Sequence, residues 1–130
     1  PQREDNMMKL LTKDIQKKLL ANDKEYIEIP IPDSKKVPVR FFGGGRADWH
    51  IISGTPMEGS PFANHDETTD GKDWMLFGLC DLGMGFPELG YVWLGELKDL
   101  EFPPLGLGVE RDKHYDGTWK EAKQAKGIRW

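Results

Sequence analysis

The sequence predicts an α+β fold: a small, largely antiparallel sheet of four to five strands with an N-terminal and a C-terminal helix. Three observations carry that reading. Apolar residues recur at helical spacing near both ends of the chain and at strand spacing between them. Glycine-rich turns divide the middle into short runs, the pattern of a meander rather than of alternating strands and helices. The 130 residues suffice for one core and leave little for a second.

Thr12 opens the first helix, spanning 12–21, because its hydroxyl can cap a free N–H and Asp14 then sits in the first turn, where negative charge is favoured. Ile15, Leu19 and Leu20 repeat at helical spacing, with Lys13, Gln16, Lys17 and Lys18 turned to solvent and Asn22 as the stop. The run from Ile27 to Pro38 holds three prolines and reads as extended or edge chain. Residues 37–42 form the first strand and 47–54 its partner, joined by Gly43, Gly44 and Gly45. These glycines do not make a phosphate loop, since no Lys-Ser/Thr pair follows and strands flank both sides. Residues 55–72 form a long, polar, mobile loop. A central strand at 73–82, a turn at 83–88 and a fourth strand at 89–94 follow, then a helical turn at 96–100 and a short fifth strand at 107–111. Thr118 caps the last helix, 118–126, and Gly127 ends it. The helices should cover one face or one end of the sheet, burying Trp49, Leu76, Leu79, Tyr91 and Leu94. Residues 1–7 read as upstream of a start at Met7 or Met8, which leaves 8–130 as the domain.

Hydrophobic residues at 38% and charged ones at 31% are globular composition, not that of a disordered tail. The longest near-apolar run, Trp74 to Cys80, is too short to span a bilayer. No basic segment followed by an apolar stretch opens the chain, so a cytoplasmic location and no membrane partner are expected. Cys80 is the single cysteine, which excludes an intramolecular disulfide and disfavours a cysteine-based zinc site. Charge is unevenly spread. Residues 1–36 hold eight basic and seven acidic groups, residues 37–112 five and thirteen, and residues 113–130 five and two. The acidic middle repels phosphate, so nucleic acid is the less favoured partner and a protein with a basic surface the more favoured one.

Several groups are candidates for chemistry. His65, Asp66, Glu67 and Asp70 form the densest set of potential metal ligands, but neighbouring loop residues seldom converge on one ion, so a solvated loop is expected there. His50 is expected to face solvent or pair locally, and His114 to make a structural hydrogen bond. Cys80 lies in the most apolar strand and reads as a small buried hydrophobe rather than a nucleophile. Alternation puts Glu110 and Asp112 on one strand face and Arg111 on the other. Arg111 is then placed to pair with Glu88 or Glu96. The competing role is a partner site made by Glu110, Asp112 and Tyr91. Trp119 and Trp130, among Lys120, Lys123, Lys126 and Arg129, read as a helix that docks its tryptophan and leaves its lysines in water, more than as a base-stacking platform. No cofactor and no catalytic set is expected.

Four stretches carry a family resemblance: Met8–Ile15 (MKLLTKDI), Phe41-Phe42 with Trp49, Phe86–Leu97 (FPELGYVWLGEL) and Pro104–Asp112 (PLGLGVERD). With them the chain resembles the domain of unknown function 2958 family from Met8 to about Tyr115. Val92-Trp93, Lys113 and a longer loop over 55–72 depart from that pattern. The resemblance implies a small accessory protein of plasmids, phages and integrative elements, in the company of anti-restriction or DNA-handling genes. It brings no catalytic residues.

Two functions follow as expectations. The first is a non-enzymatic interaction protein that modulates a host defence nuclease of anti-restriction or anti-CRISPR type, with Asp66, Glu67, Asp70, Glu110, Asp112 and Tyr91 as partner-binding candidates. The second is a metal-dependent single-stranded DNA endonuclease using Asp66, Glu67, Asp70 and Asp73.

Overall fold

The computed structural model describes residues 9–68 and 70–128, so expectations at Met7, Met8, Arg129 and Trp130 lie outside the described residues. The chain order is α1 (Lys13–Glu25), β1 (Val39–Gly43), β2 (Ala47–Met57), β3 (Asp73–Asp81), β4 (Glu88–Trp93), α2 (Leu94–Asp99), β5 (Glu110–Arg111) and α3 (Trp119–Ala125). This is an α+β fold with an antiparallel sheet of five strands in the order β4-β3-β2-β1-β5. Four strands meander in sequence order, and β5 returns to the far side of β1.

Local chemistry accounts for the elements. Thr12 caps α1 by accepting the Ile15 N–H at 3.2 Å. The helix does not stop at Asn22 as expected. Asn22 faces inward, donates from Nδ2 to the Ile52 carbonyl at 2.8 Å, and lets the helix run another turn. Gly44 and Gly45 adopt positive φ in the turn that returns β1 onto β2, with Val39 opposite Ile51 and Gly43 opposite Ala47. β2 continues past 54 to Met57, because its last residues find partners in β3 down to Met57 opposite Asp73. A register shift between Ile51 and Ser53 changes which face the strand presents. Thr118 caps α3 in a reciprocal pair with Glu121.

Helices lie on both faces of the sheet, not on one face or one end. The larger core joins Leu10, Leu11 and Leu19 to Phe41, Trp49, Ile51, Trp74 and Leu76, and closes with Leu94 and Leu97 of α2. On the other face, α3 sets Trp119 and Ala122 against Val37, Ile52 and Leu79. Strand alternation sends Trp74 and Leu76 one way and Leu79 the other. Trp49, Leu76, Leu79 and Leu94 are buried as expected. Tyr91 is not. It is 71% exposed, because β4 is an edge strand beyond the reach of the seven-residue α3, and the Phe77 ring packs beside it at 4.9 Å.

Candidate functional site

The sheet face under α3 carries the first polar cluster. Register puts Arg40 of β1 beside both His50 of β2 and the residue that follows β5. The Arg40 guanidinium pairs with Asp48 and with Asp112, each at 3.0 Å. From α3, Lys126 reaches back to Asp48 and to Asp81, the latter at 2.8 Å. Two cations thus tie β1, β2, β3, α3 and the chain after β5 together. The lysines of α3 are not simply left in water, since Lys123 also pairs with Asp33 at 2.8 Å. Hydrogen bonds from Lys126 and from the Gly83 N–H hold the Asp81 carboxyl below its usual range. Burial works against the Lys126 charge, but its bonds to Asp48 and Asp81 outweigh that and raise its pKa.

His50 is buried inside this cluster, contrary to the solvent-facing expectation. Tyr115 covers its ring edge-on at 5.4 Å, and its Nδ1 has no hydrogen-bond partner. Burial pushes its pKa down to about 4, with the Asp48 carboxylate only partly opposing it. His50 is therefore neutral at pH 7 and shielded from solvent. The cluster is a clamp.

The second cluster lies in the loop between β2 and β3. Asp73 is fully buried and accepts from Ser60 Oγ at 2.8 Å, from the Trp74 N–H at 2.8 Å and from the Gly95 N–H at 3.2 Å. His65 Nδ1 accepts the Glu67 N–H at 3.1 Å, which leaves the proton on Nε2 to donate to Asp73 at 2.8 Å. Serine and histidine both bond to the carboxylate and not to each other, so no nucleophile–base pair forms. Glu67 is buried as well. Its carboxylate accepts the N–H groups of Leu10 at 3.0 Å and Leu11 at 2.9 Å, and pairs with Lys98 of α2. The solvated-loop expectation thus fails for His65 and Glu67 and holds for Asp66, which is exposed and bridges to Lys98 at 3.2 Å and Lys9 at 3.5 Å.

The sequence-derived candidates do not gather in one place. Glu110 and Asp112 share a face, as alternation requires, but β5 and β4 are opposite edges of the sheet. Three strands separate them from Tyr91, so these three residues make no common site. Arg111 pairs with neither Glu88 nor Glu96, which belong to the β4 side of the sheet. It donates instead to the Lys9 carbonyl. Arg40 takes the bridging role expected of Arg111. His114 is tied by its backbone N–H to Asp112 at 3.0 Å. Cys80 is half-buried, and its thiol is pushed up to about 11, chiefly by burial and then by Glu96 and Glu88. Among the described residues, no three His, Cys, Asp or Glu side chains are arranged to hold a metal ion.

The family model for a protein of unknown function (DUF2958) matches residues 10–127. The chain belongs to this family. The match runs from the Leu10–Leu11 pair held by Glu67 to the glycine that ends α3, so the DUF2958 unit includes both polar clusters. No curated protein and no solved structure matches the chain. No helix among the described residues is long and apolar enough to cross a membrane.

Proposed function

We propose that this chain is a non-enzymatic accessory protein that binds a basic surface on another protein. One observation carries the reading: the division of charge over 37–112. Asp48, Glu67, Asp73, Asp81 and Asp112 are all partnered inside the fold. Glu58, Asp66, Asp70, Glu88, Glu96, Asp99, Glu101 and Glu110 are exposed, and Arg46 is the one exposed base among the described residues of that stretch. Within the proposal, Asp66, Asp70 and Glu110 are available to a partner, whereas Glu67 is spent on holding the loop. The setting is a phage, plasmid or integrative element and the target a host defence nuclease, whose nucleic-acid groove is basic. That part rests on the family resemblance. A metal-dependent single-stranded DNA endonuclease has less support, because Glu67 and Asp73 commit their oxygens to backbone N–H groups, Lys98, Ser60 and His65.

The test is a salt titration of the association rate against a partner captured from host lysate. Charge complementarity acts mainly on the on-rate, and screening shortens to about 8 Å at physiological salt. Association should slow steeply from low to physiological salt, and should slow again in an Asp66→Lys, Asp70→Lys, Glu110→Lys variant that melts like the parent. Salt-insensitive association, unchanged by the triple reversal, removes the acidic surface from the function.

A further inference from the structure

β4 ends the sheet, and no described backbone or side-chain group bonds to its outer edge. Natural edge strands are usually blunted by lysine, proline, a bulge or a covering segment. Within Glu88–Trp93 there is no lysine and no proline, and the pairing with β3 runs from Met75–Trp93 to Cys80–Glu88 without a register shift. Beside this open edge stand large, exposed apolar side chains. Leu89 is 39% exposed, Tyr91 71%, and Met84 and Phe86 in the preceding turn 69% and 78%. Tyrosine, phenylalanine and methionine are the residue types that protein interfaces concentrate. Arg46 lies against Gly83 at the start of the turn, but the exposed charges of β4 and of the segment that follows it are all acidic. Glu88, Glu96, Asp99 and Glu101 are exposed, and the only base from 82 to 101, Lys98, is committed to Glu67 and Asp66.

We infer that β4 is a strand-addition site for an extended, lysine- or arginine-bearing segment of a partner protein. The inference rests on the reading of this chain as a protein-binding module and specifies how it binds. Main-chain bonds to the free edge supply affinity, while Leu89, Tyr91 and Phe86 take alternate apolar side chains of the incoming strand. The carboxylates select a basic segment. They also disfavour a second copy of this chain, which would bring the same acidic groups to the edge.

The experiment titrates the isotope-labelled chain with an acetylated and amidated peptide, Lys-Val-Lys-Val-Thr-Val-Lys-Val-Lys, and follows backbone amide shifts and hydrogen exchange. Shifts should centre on Leu89–Trp93 and the turn before it, with exchange of alternate β4 amides slowed about tenfold. Binding should weaken at least about tenfold when glutamate replaces lysine in the peptide, or in a Leu89→Lys, Tyr91→Lys chain that melts like the parent. Absence of β4 shifts at millimolar peptide, or binding indifferent to both changes, overturns the assignment. So does sedimentation showing a dimer that Tyr91→Lys dissolves, since the occupant is then a second copy. If β4 fails but partner association stays sensitive to Asp66, Asp70 and Glu110, the binding function stands and only its location at β4 falls.

Discussion

The Glu67 carboxylate accepts the backbone N–H of Leu11 at 2.9 Å, joining positions 56 residues apart. With the Leu10 N–H on its other oxygen and Lys98 beside it, Glu67 pins the chain entry, the β2–β3 loop and α2 together. Removing one partner of a buried ion pair strands the other charge. Glu67→Ala should therefore cost about 3–5 kcal/mol in a denaturant melt, whereas Glu58→Ala, on an exposed side chain, should stay within about 0.5 kcal/mol. Equal effects from the two would mean that Glu67 is not the pin.

Tyr91 stands on the surface, so Tyr91→Ala should lose under about 1 kcal/mol, and the buried Leu79→Ala about 2–5 kcal/mol. Urea midpoints of the two variants measure the difference. A large loss at Tyr91 would mean that its contact with Phe77 matters more than its exposure suggests.

His50 couples stability to pH. Its folded pKa of about 4 lies below the ordinary 6.5, so between those values the unfolded chain binds the extra proton. This contribution is complete above pH 6.5 and is lost as pH falls from 6.5 toward 4. It amounts to roughly 3 kcal/mol at about 1.4 kcal/mol per pKa unit. Thermal melts across that window should fall with acid in the parent and fall less in His50→Leu.

Much of the fold was legible because it rests on local chemistry. Thr12 and Thr118 announce their helices by capping, and Gly44 and Gly45 announce the first hairpin by the turn they permit. The clusters were hidden because they rest on long-range pairing. Nothing near His50 in sequence says that Tyr115 will cover it, and nothing near Glu67 points to Leu10 and Leu11. The bridging role of Arg40 was hidden because the sequence does not show which edge β5 joins. Tyr91 was misplaced for a related reason: a run as apolar as Leu89–Leu94 reads as interior until the strand order makes β4 an edge.

Cys80 should be slow toward thiol reagents. With its thiol pushed up to about 11, the thiolate is scarce at pH 7.4. Its reaction with iodoacetamide should run at least about tenfold slower than that of an ordinary exposed cysteine and accelerate steeply above pH 9. Ordinary reactivity at neutral pH would show that burial does not protect it.

The central claim is that the buried acidic groups hold the fold together and that the chain acts by binding. The most direct test incubates the purified chain with labelled single-stranded DNA and Mg²⁺ or Mn²⁺, beside Asp66→Ala and Asp70→Asn. Both positions are exposed and asparagine tolerates the positive φ at 70, so either variant should fold like the parent. No metal-dependent nicking is expected above a catalytically silent protein control. Nicking by the parent that disappears in either variant would contradict the claim.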